Sequence, residues 1–153
     1  MKPILRYTIS NVSRNGFLCL AESIRLMKGL YDFDIYVCYN NLTTEQYEFI
    51  QSLDVNLIAA KSSSLPIEPM VENWKLYPPR IDINRHEIVV DNDYLLIKQL
   101  EEIDIFLKND NLFLISEDND RNLGQFSSRS DFRIGVNSGL YGMPPNYNFQ
   151  LEL

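Results

Sequence analysis

Clusters of lysine and arginine are missing from this sequence: fourteen basic residues stand against twenty-one acidic ones, leaving a net charge of −7. Proteins that hold nucleic acid neutralise phosphates with grouped Lys and Arg, so this balance argues against a nucleic-acid partner. An anionic small ligand would need a local cation. Cysteine is scarce as well. Cys19 and Cys38, without Cys-x-x-Cys spacing, exclude a disulfide framework and fit two reduced thiols in apolar surroundings. His86 is the one histidine, and a lone His following Arg85 is read as a surface or satisfied residue. No apolar run approaches the roughly 20 residues that span a bilayer. No signal peptide precedes the first strand-like run, so the expectation is a cytoplasmic protein without a transmembrane segment. The sequon matches at Asn11 and Asn41 are then chance matches or caps.

What is present is of globular type. Hydrophobic residues at 45% and charged residues at 23% set disorder and fibrous classes aside, and 153 residues suit a single domain over 1–153. Residues 4–9 have the β-branched and aromatic content of a strand, with Ser10-Asn11 as a polar turn. Phe17, Leu20, Ala21, Ile24, Met27 and Leu30 then recur at helical spacing, with Gly29 near the expected end as a left-handed terminator. Residues 34–39 read as a central strand closed by Asn40-Asn41. Thr43 with Gln46 predicts a capping box, and Leu42 with Tyr47 a hydrophobic staple. Residues 55–60 give a third strand. This alternation predicts an α/β fold with a mostly parallel sheet, in which ligands bind beyond the carboxyl ends of the strands. Ser10-Asn11, Asn40-Asn41 and Asp91-Asn92-Asp93 are thereby expected along one edge.

The chemistry is concentrated in residues 88–97, where an apolar run stops at Asp91-Asn92-Asp93 and then resumes. Two carboxylates held close in a poorly solvated place repel, and the usual resolutions are a shared proton or a bound cation. If the segment is extended, residues two apart point the same way, so that Asp91 and Asp93 either converge on one ion or one of them acts through water. Upstream, Pro78 and Pro79 end any helix begun near Pro69. Trp74, Lys75, Tyr77 and Arg80 form either an aromatic and cationic wall for a nucleotide or a Trp lid over the core, with Arg80 the better phosphate partner because its fork is planar.

Downstream, Leu100, Ile103, Phe106 and Leu107 outline a short amphipathic helix, and residues 112–115 another strand. Glu117-Asp118-Asn119-Asp120 repeats the acidic triplet. A calcium loop counted from Asp118 would need Gly where Leu123 stands and Glu where Arg129 stands, so this group reads as a solvated acidic turn. A last strand at 132–136 is expected to end in Asn137-Ser138-Gly139.

The β-α-β-α-β opening, Arg80, the strand ending in Asp91-Asn92-Asp93 and the later Asn137-Ser138-Gly139 together resemble the GT-A fold of nucleotide-sugar glycosyltransferases. The likeness is greatest to the glycogenin and bacterial galactosyltransferase group. It implies a Rossmann-like, three-layer α/β/α architecture. It also implies Mn2+ or Mg2+ held by Asp91 and Asp93, beside Asn92, gripping the diphosphate of a UDP-sugar donor. By the same resemblance Ile9, Ser10 and Asn11 surround base and ribose and Arg80 contacts the donor. Asn137, Ser138 and Gly139 lie near the donor sugar and an unidentified acceptor. No catalytic residue is assigned.

Members of that group continue past the Asn-Ser-Gly strand and supply a further metal ligand, often His. This sequence ends at Leu153. The expectation is therefore a donor-binding half, truncated or reduced, lacking the C-terminal acceptor and catalytic part. Two other readings stand beside it. One is a non-catalytic remnant that self-associates as a homo-oligomer through surface the missing part would cover. The other is a metal-dependent phosphoryl-transfer enzyme, which would need an Asp nucleophile where Ser10 and Asn11 stand.

Overall fold

The computed structural model describes residues 1–10, 13–60, 79–118 and 135–147. The alternation read in the sequence is realised as β1 (Ile4–Ile9), α1 (Arg14–Leu30), β2 (Asp34–Tyr39), α2 (Thr44–Gln51) and β3 (Asn56–Ala59). β4 (Glu87–Val90), α3 (Glu101–Leu107), β5 (Leu114–Asp118) and β6 (Gly135–Met143) follow. The strands form one sheet in the order β3-β2-β1-β4-β6-β5. β1 lies parallel to β2 and β4, and β2 to β3, while β6 runs antiparallel to both β4 and β5. The sheet is therefore mostly parallel, with β6 reversed.

Side-chain alternation sorts β1 between two faces. Leu5, Tyr7 and Ile9 join Val37, Ile88, Val90 and Leu140 in one apolar cluster with Phe17, Leu20, Ile24 and Met27 of α1, Ile50 of α2 and Ile103 and Phe106 of α3. The described helices thus cover a single face. No helix among the described residues covers the other face, where the three-layer expectation asks for one; Trp74, Lys75 and Tyr77 lie outside the described residues. So do Asn119 and Asp120 of the second acidic group, whereas Glu117 and Asp118 close β5 as strand.

Local signals fared unevenly. The Thr43 capping box forms: the Gln46 backbone N–H donates to Thr43 Oγ1 at 3.3 Å, and the Thr43 N–H to Gln46 Oε1 at 2.9 Å. Gly29 does not terminate α1 in a left-handed conformation. The helix runs on to Leu30 and is capped by Tyr31 in extended geometry. Tyr31 has a second task, because Leu100, at the start of α3, has no side-chain cap and its N–H donates to the Tyr31 phenolic oxygen at 2.7 Å. α3 sits directly on β6: a Cβ added at Gly142 would stand 2.8 Å from Phe106 Cζ. β6 does not end at Asn137-Ser138-Gly139 but passes through it.

Candidate functional site at the carboxyl edge of the sheet

Since β1, β2 and β4 are parallel, their carboxyl ends fall along one edge. The Asn40 N–H donates to the Ile9 carbonyl at 3.1 Å, joining the ends of β1 and β2. Asn41 follows with φ of 52°, the left-handed conformation that asparagine tolerates in tight turns. Ile9 turns its side chain into the core at 2% exposure, so only its backbone borders this edge. Ser10 is half-buried beside it. Asn11 lies outside the described residues. Behind this edge, a groove of about 590 Å³ opens between the N-terminal turns of α1 and α2, lined by Arg14, Phe17, Leu18, Thr43, Gln46 and Phe49 among others.

β4 delivers the acids. All four of its residues are buried, Asp91 and Asn92 are half-buried, and Asp93 is exposed. The expected extended geometry is corrected here. The Tyr94 N–H donates back to the Asp91 carbonyl at 3.1 Å, which closes a tight turn with Asn92 and Asp93 at its corners. The two carboxylates are therefore related by a turn and not by strand alternation.

The Asp91 N–H donates to the Gly139 carbonyl at 2.9 Å. The contact carries the β4–β6 ladder one step past Val90–Leu140, alongside a register shift on the other side of β6: Ile115 pairs with Tyr141 while Ser116 pairs with Asn137, so β5 releases β6 over 138–140. Irregularities of this kind re-aim a strand beside functional sites. Asp91 and Gly139 are thus brought together. Asn137 and Ser138 precede Gly139 in the β6 backbone, and their side chains lie outside the described residues.

Thr8 is a neighbour the sequence did not flag. Tyr7 pairs with Val90, and the register carried one residue further sets Thr8 beside Asp91 on the adjacent strand. Both lie on the face opposite the apolar cluster. The Thr8 hydroxyl is buried without a hydrogen-bond partner, which is costly in a folded protein. On the same face burial raises the Tyr141 phenol well above its ordinary value, with Arg6 opposing and the Asp91 charge adding to the rise.

A cation fits this donor set. Carboxylate oxygens suit hard ions such as Mg2+ and Mn2+, which keep several positions for water and phosphate oxygens. Among the described residues no group of three or more His, Cys, Asp or Glu is gathered at one place.

Arg80 is not brought to this edge, contrary to the expectation that it contacts a donor. Its Nε donates to Glu87 Oε2 at 3.2 Å, and its Nη1 to the Pro144 and Tyr147 carbonyls at 2.9 and 2.6 Å. Its Nη2 donates to the Arg85 carbonyl. Glu87 starts β4 and Asp91 follows its end, about 13 Å away at ordinary strand rise. Glu87 also takes Arg6 Nη2 and the Ile81 N–H, with Arg6 and Glu87 both at 0% exposure. Burial, with repulsion from Arg6, pushes the Arg80 guanidinium down to about 10. Its surroundings are those of a structural ion cluster at the opposite end of the strand. The available signal was Arg6 and Glu87 themselves, charges standing in otherwise apolar strand runs.

His86 matches its bland assignment: its Nε2 lies 3.1 Å from the Asn109 carbonyl and its ring meets Phe106 edge-on. Both cysteines are free. No helix among the described residues is long and apolar enough to cross a membrane.

The chain matches no protein-family model and no curated protein sequence. Its fold matches solved glycosyltransferases. The apo form of glycosyltransferase GlyE from Streptococcus pneumoniae TIGR4 aligns with a TM-score of 0.55 at 15% identity, over 95% of this chain and 34% of that one. The bifunctional glycosyltransferase WbbM, in an apo structure, aligns with a TM-score of 0.59 at 10% identity, over 94% of this chain and 31% of that one. At such identities the likeness establishes the fold, a GT-A-like glycosyltransferase fold. The chain spans about a third of the length of the structures it matches.

Proposed function

We propose that this chain is the donor-binding part of a metal-dependent glycosyltransferase, holding a nucleoside-diphosphate sugar, UDP-linked by preference, for transfer to an acceptor. One observation carries the reading. Asp91 emerges from a fully buried strand at the edge where β1 and β2 also end, and its N–H is bonded to Gly139. The likeness in fold to GlyE and WbbM supports it.

In this reading Asp91 and Asp93 hold Mn2+ or Mg2+, and Asn92 borders the diphosphate. The bound cation supplies charge that tightens diphosphate binding and stabilises the departing oxygens. The chain's own groups do the rest. The Asp91–Tyr94 turn fixes the spacing of the two carboxylates. The backbone around Ile9 and Ser10, with Asn11, receives base and ribose, while Asn137, Ser138 and Gly139 border the sugar. Arg80 has no part in donor contact in this reading, since its guanidinium is committed to Glu87 and four carbonyls.

A thermal-shift screen of nucleotide sugars, with and without manganese, tests the proposal. Ligand that binds only the folded state raises its stability with occupancy, so a UDP-sugar is expected to raise Tm only when manganese is present. Equal melting with every nucleotide sugar in both conditions would remove the proposal.

A further inference from the structure

Beneath the Asp91–Tyr94 turn, three elements meet through polar groups shielded from solvent. Tyr7 of β1 and Ser23 of α1 are each at 0% exposure. Their hydroxyl oxygens lie 2.9 Å apart, and Ser23 Oγ lies 2.5 Å from the Tyr94 carbonyl oxygen. A carbonyl only accepts, so Ser23 gives its one hydrogen to Tyr94 and must accept from Tyr7. The order is fixed: Tyr7 donates to Ser23, which donates to Tyr94. The Tyr94 N–H completes the path by donating to the Asp91 carbonyl at 3.1 Å.

Neither polar residue is what its position asks for. Ser23 lies within an α1 face whose other buried residues are Phe17, Leu20, Ile24 and Met27. Mid-helix serine is a weaker helix former than alanine or leucine. Tyr7 stands between Leu5 and Ile9 in the apolar cluster. The two hydroxyls act in series, Tyr7 on Ser23 and Ser23 on one backbone carbonyl, which belongs to the residue immediately after the acidic triplet.

We propose that Ser23, oriented by Tyr7, is a positioning residue for the Asp91-Asn92-Asp93 turn. It holds the turn in the form that presents both carboxylates to a metal-bound diphosphate. The inference rests on the functional reading above and adds the means by which the scaffold sets the site. Outer partners of metal-binding groups are typically worth about 10- to 100-fold in affinity.

The test compares Ser23→Ala and Tyr7→Phe with Met27→Ala, a core truncation elsewhere on α1. Isothermal titration with UDP and Mn2+ is paired with ligand-free melting curves and with hydrogen exchange at the Tyr94 amide. Ser23→Ala is expected to weaken UDP-Mn2+ binding about tenfold, at the low end of that range, and to speed Tyr94 amide exchange by a similar factor. Tyr7→Phe should do the same to a lesser degree. Met27→Ala should lower Tm while leaving binding and Tyr94 exchange as in the wild type. Losses in Ser23→Ala no larger than those in Met27→Ala would overturn the positioning role. Wild-type protein that binds no UDP-Mn2+ would sink the functional reading and, with it, the metal side of this inference. Unchanged Tyr94 exchange in Ser23→Ala would overturn the relay whatever the ligand result.

Discussion

The Asp91 backbone N–H donates to the Gly139 carbonyl oxygen at 2.9 Å, tying the end of β4 to the middle of β6. Residues nearly fifty positions apart in sequence thereby share one edge. The bond extends the β4–β6 ladder one step past Val90, whose partner is Leu140. The first acid is thus held by sheet, and the second by the turn that follows.

The unpartnered Thr8 hydroxyl beside Asp91 gives a prediction about stability. A buried hydroxyl without a partner costs about 1–3 kcal/mol. Thr8→Val should therefore raise the unfolding free energy by about 1 kcal/mol in denaturant titration. A destabilised variant would mean that the hydroxyl is satisfied in solution.

Glu87 is predicted to matter to folding and not to the ligand. It is the acid between Arg6 and Arg80 at the start of β4. Removing one partner of a buried ion pair leaves uncompensated charge and costs about 3–5 kcal/mol. Glu87→Gln should lose stability on that scale by chemical denaturation, and a loss under about 1 kcal/mol would refute the structural role.

Gly142 is required by close approach. A methyl group there would meet Phe106 Cζ at 2.8 Å and Leu114 Cβ at 2.9 Å, below the contacts real Cβ atoms make. Overpacking of this kind costs about 1–3 kcal/mol. Gly142→Ala should lower Tm, and an unchanged Tm would show that α3 can shift away from β6 freely.

Alkaline pH should destabilise the fold through Tyr7. Burial raises its phenol above the ordinary value, with Ser23 opposing weakly. A raised folded value means that stability is fully present below about pH 10, where the unfolded chain begins to ionise. Above that the unfolded state sheds a proton that the folded state keeps, so stability falls as pH rises. Tyr7→Phe should flatten the decline by one proton, and comparison with wild type cancels other alkaline groups, Arg80 included. Parallel curves for the two proteins would contradict the assignment.

Periodicity made much of this fold legible. The three-and-four spacing from Phe17 to Leu30 and the Thr43–Gln46 box are local facts, settled by residues one or two turns apart. The parallel sheet followed from alternation. The course of β6 did not, because its path through Asn137-Ser138-Gly139 depends on pairing with β4 and on a register shift against β5, both long-range. Asp91-Asn92-Asp93 was legible as the end of a buried strand, but its turn depends on a bond to Tyr94 that Ser23, seventy residues away, supports. Arg80 was misread for the same reason: a planar cation near an acidic motif suits a phosphate, and only the fold reveals Glu87 already beside it.

The proposed function turns on Asp91 holding a cation that in turn holds a nucleotide diphosphate. The most direct measurement is isothermal titration of UDP into wild type and Asp91→Ala, each with and without Mn2+, after circular dichroism has established that both are folded. The predicted result is binding by wild type only with Mn2+, weakened at least tenfold in Asp91→Ala, about 1.4 kcal/mol. Equal affinity in the two proteins, or no binding by wild type with Mn2+ present, would contradict it.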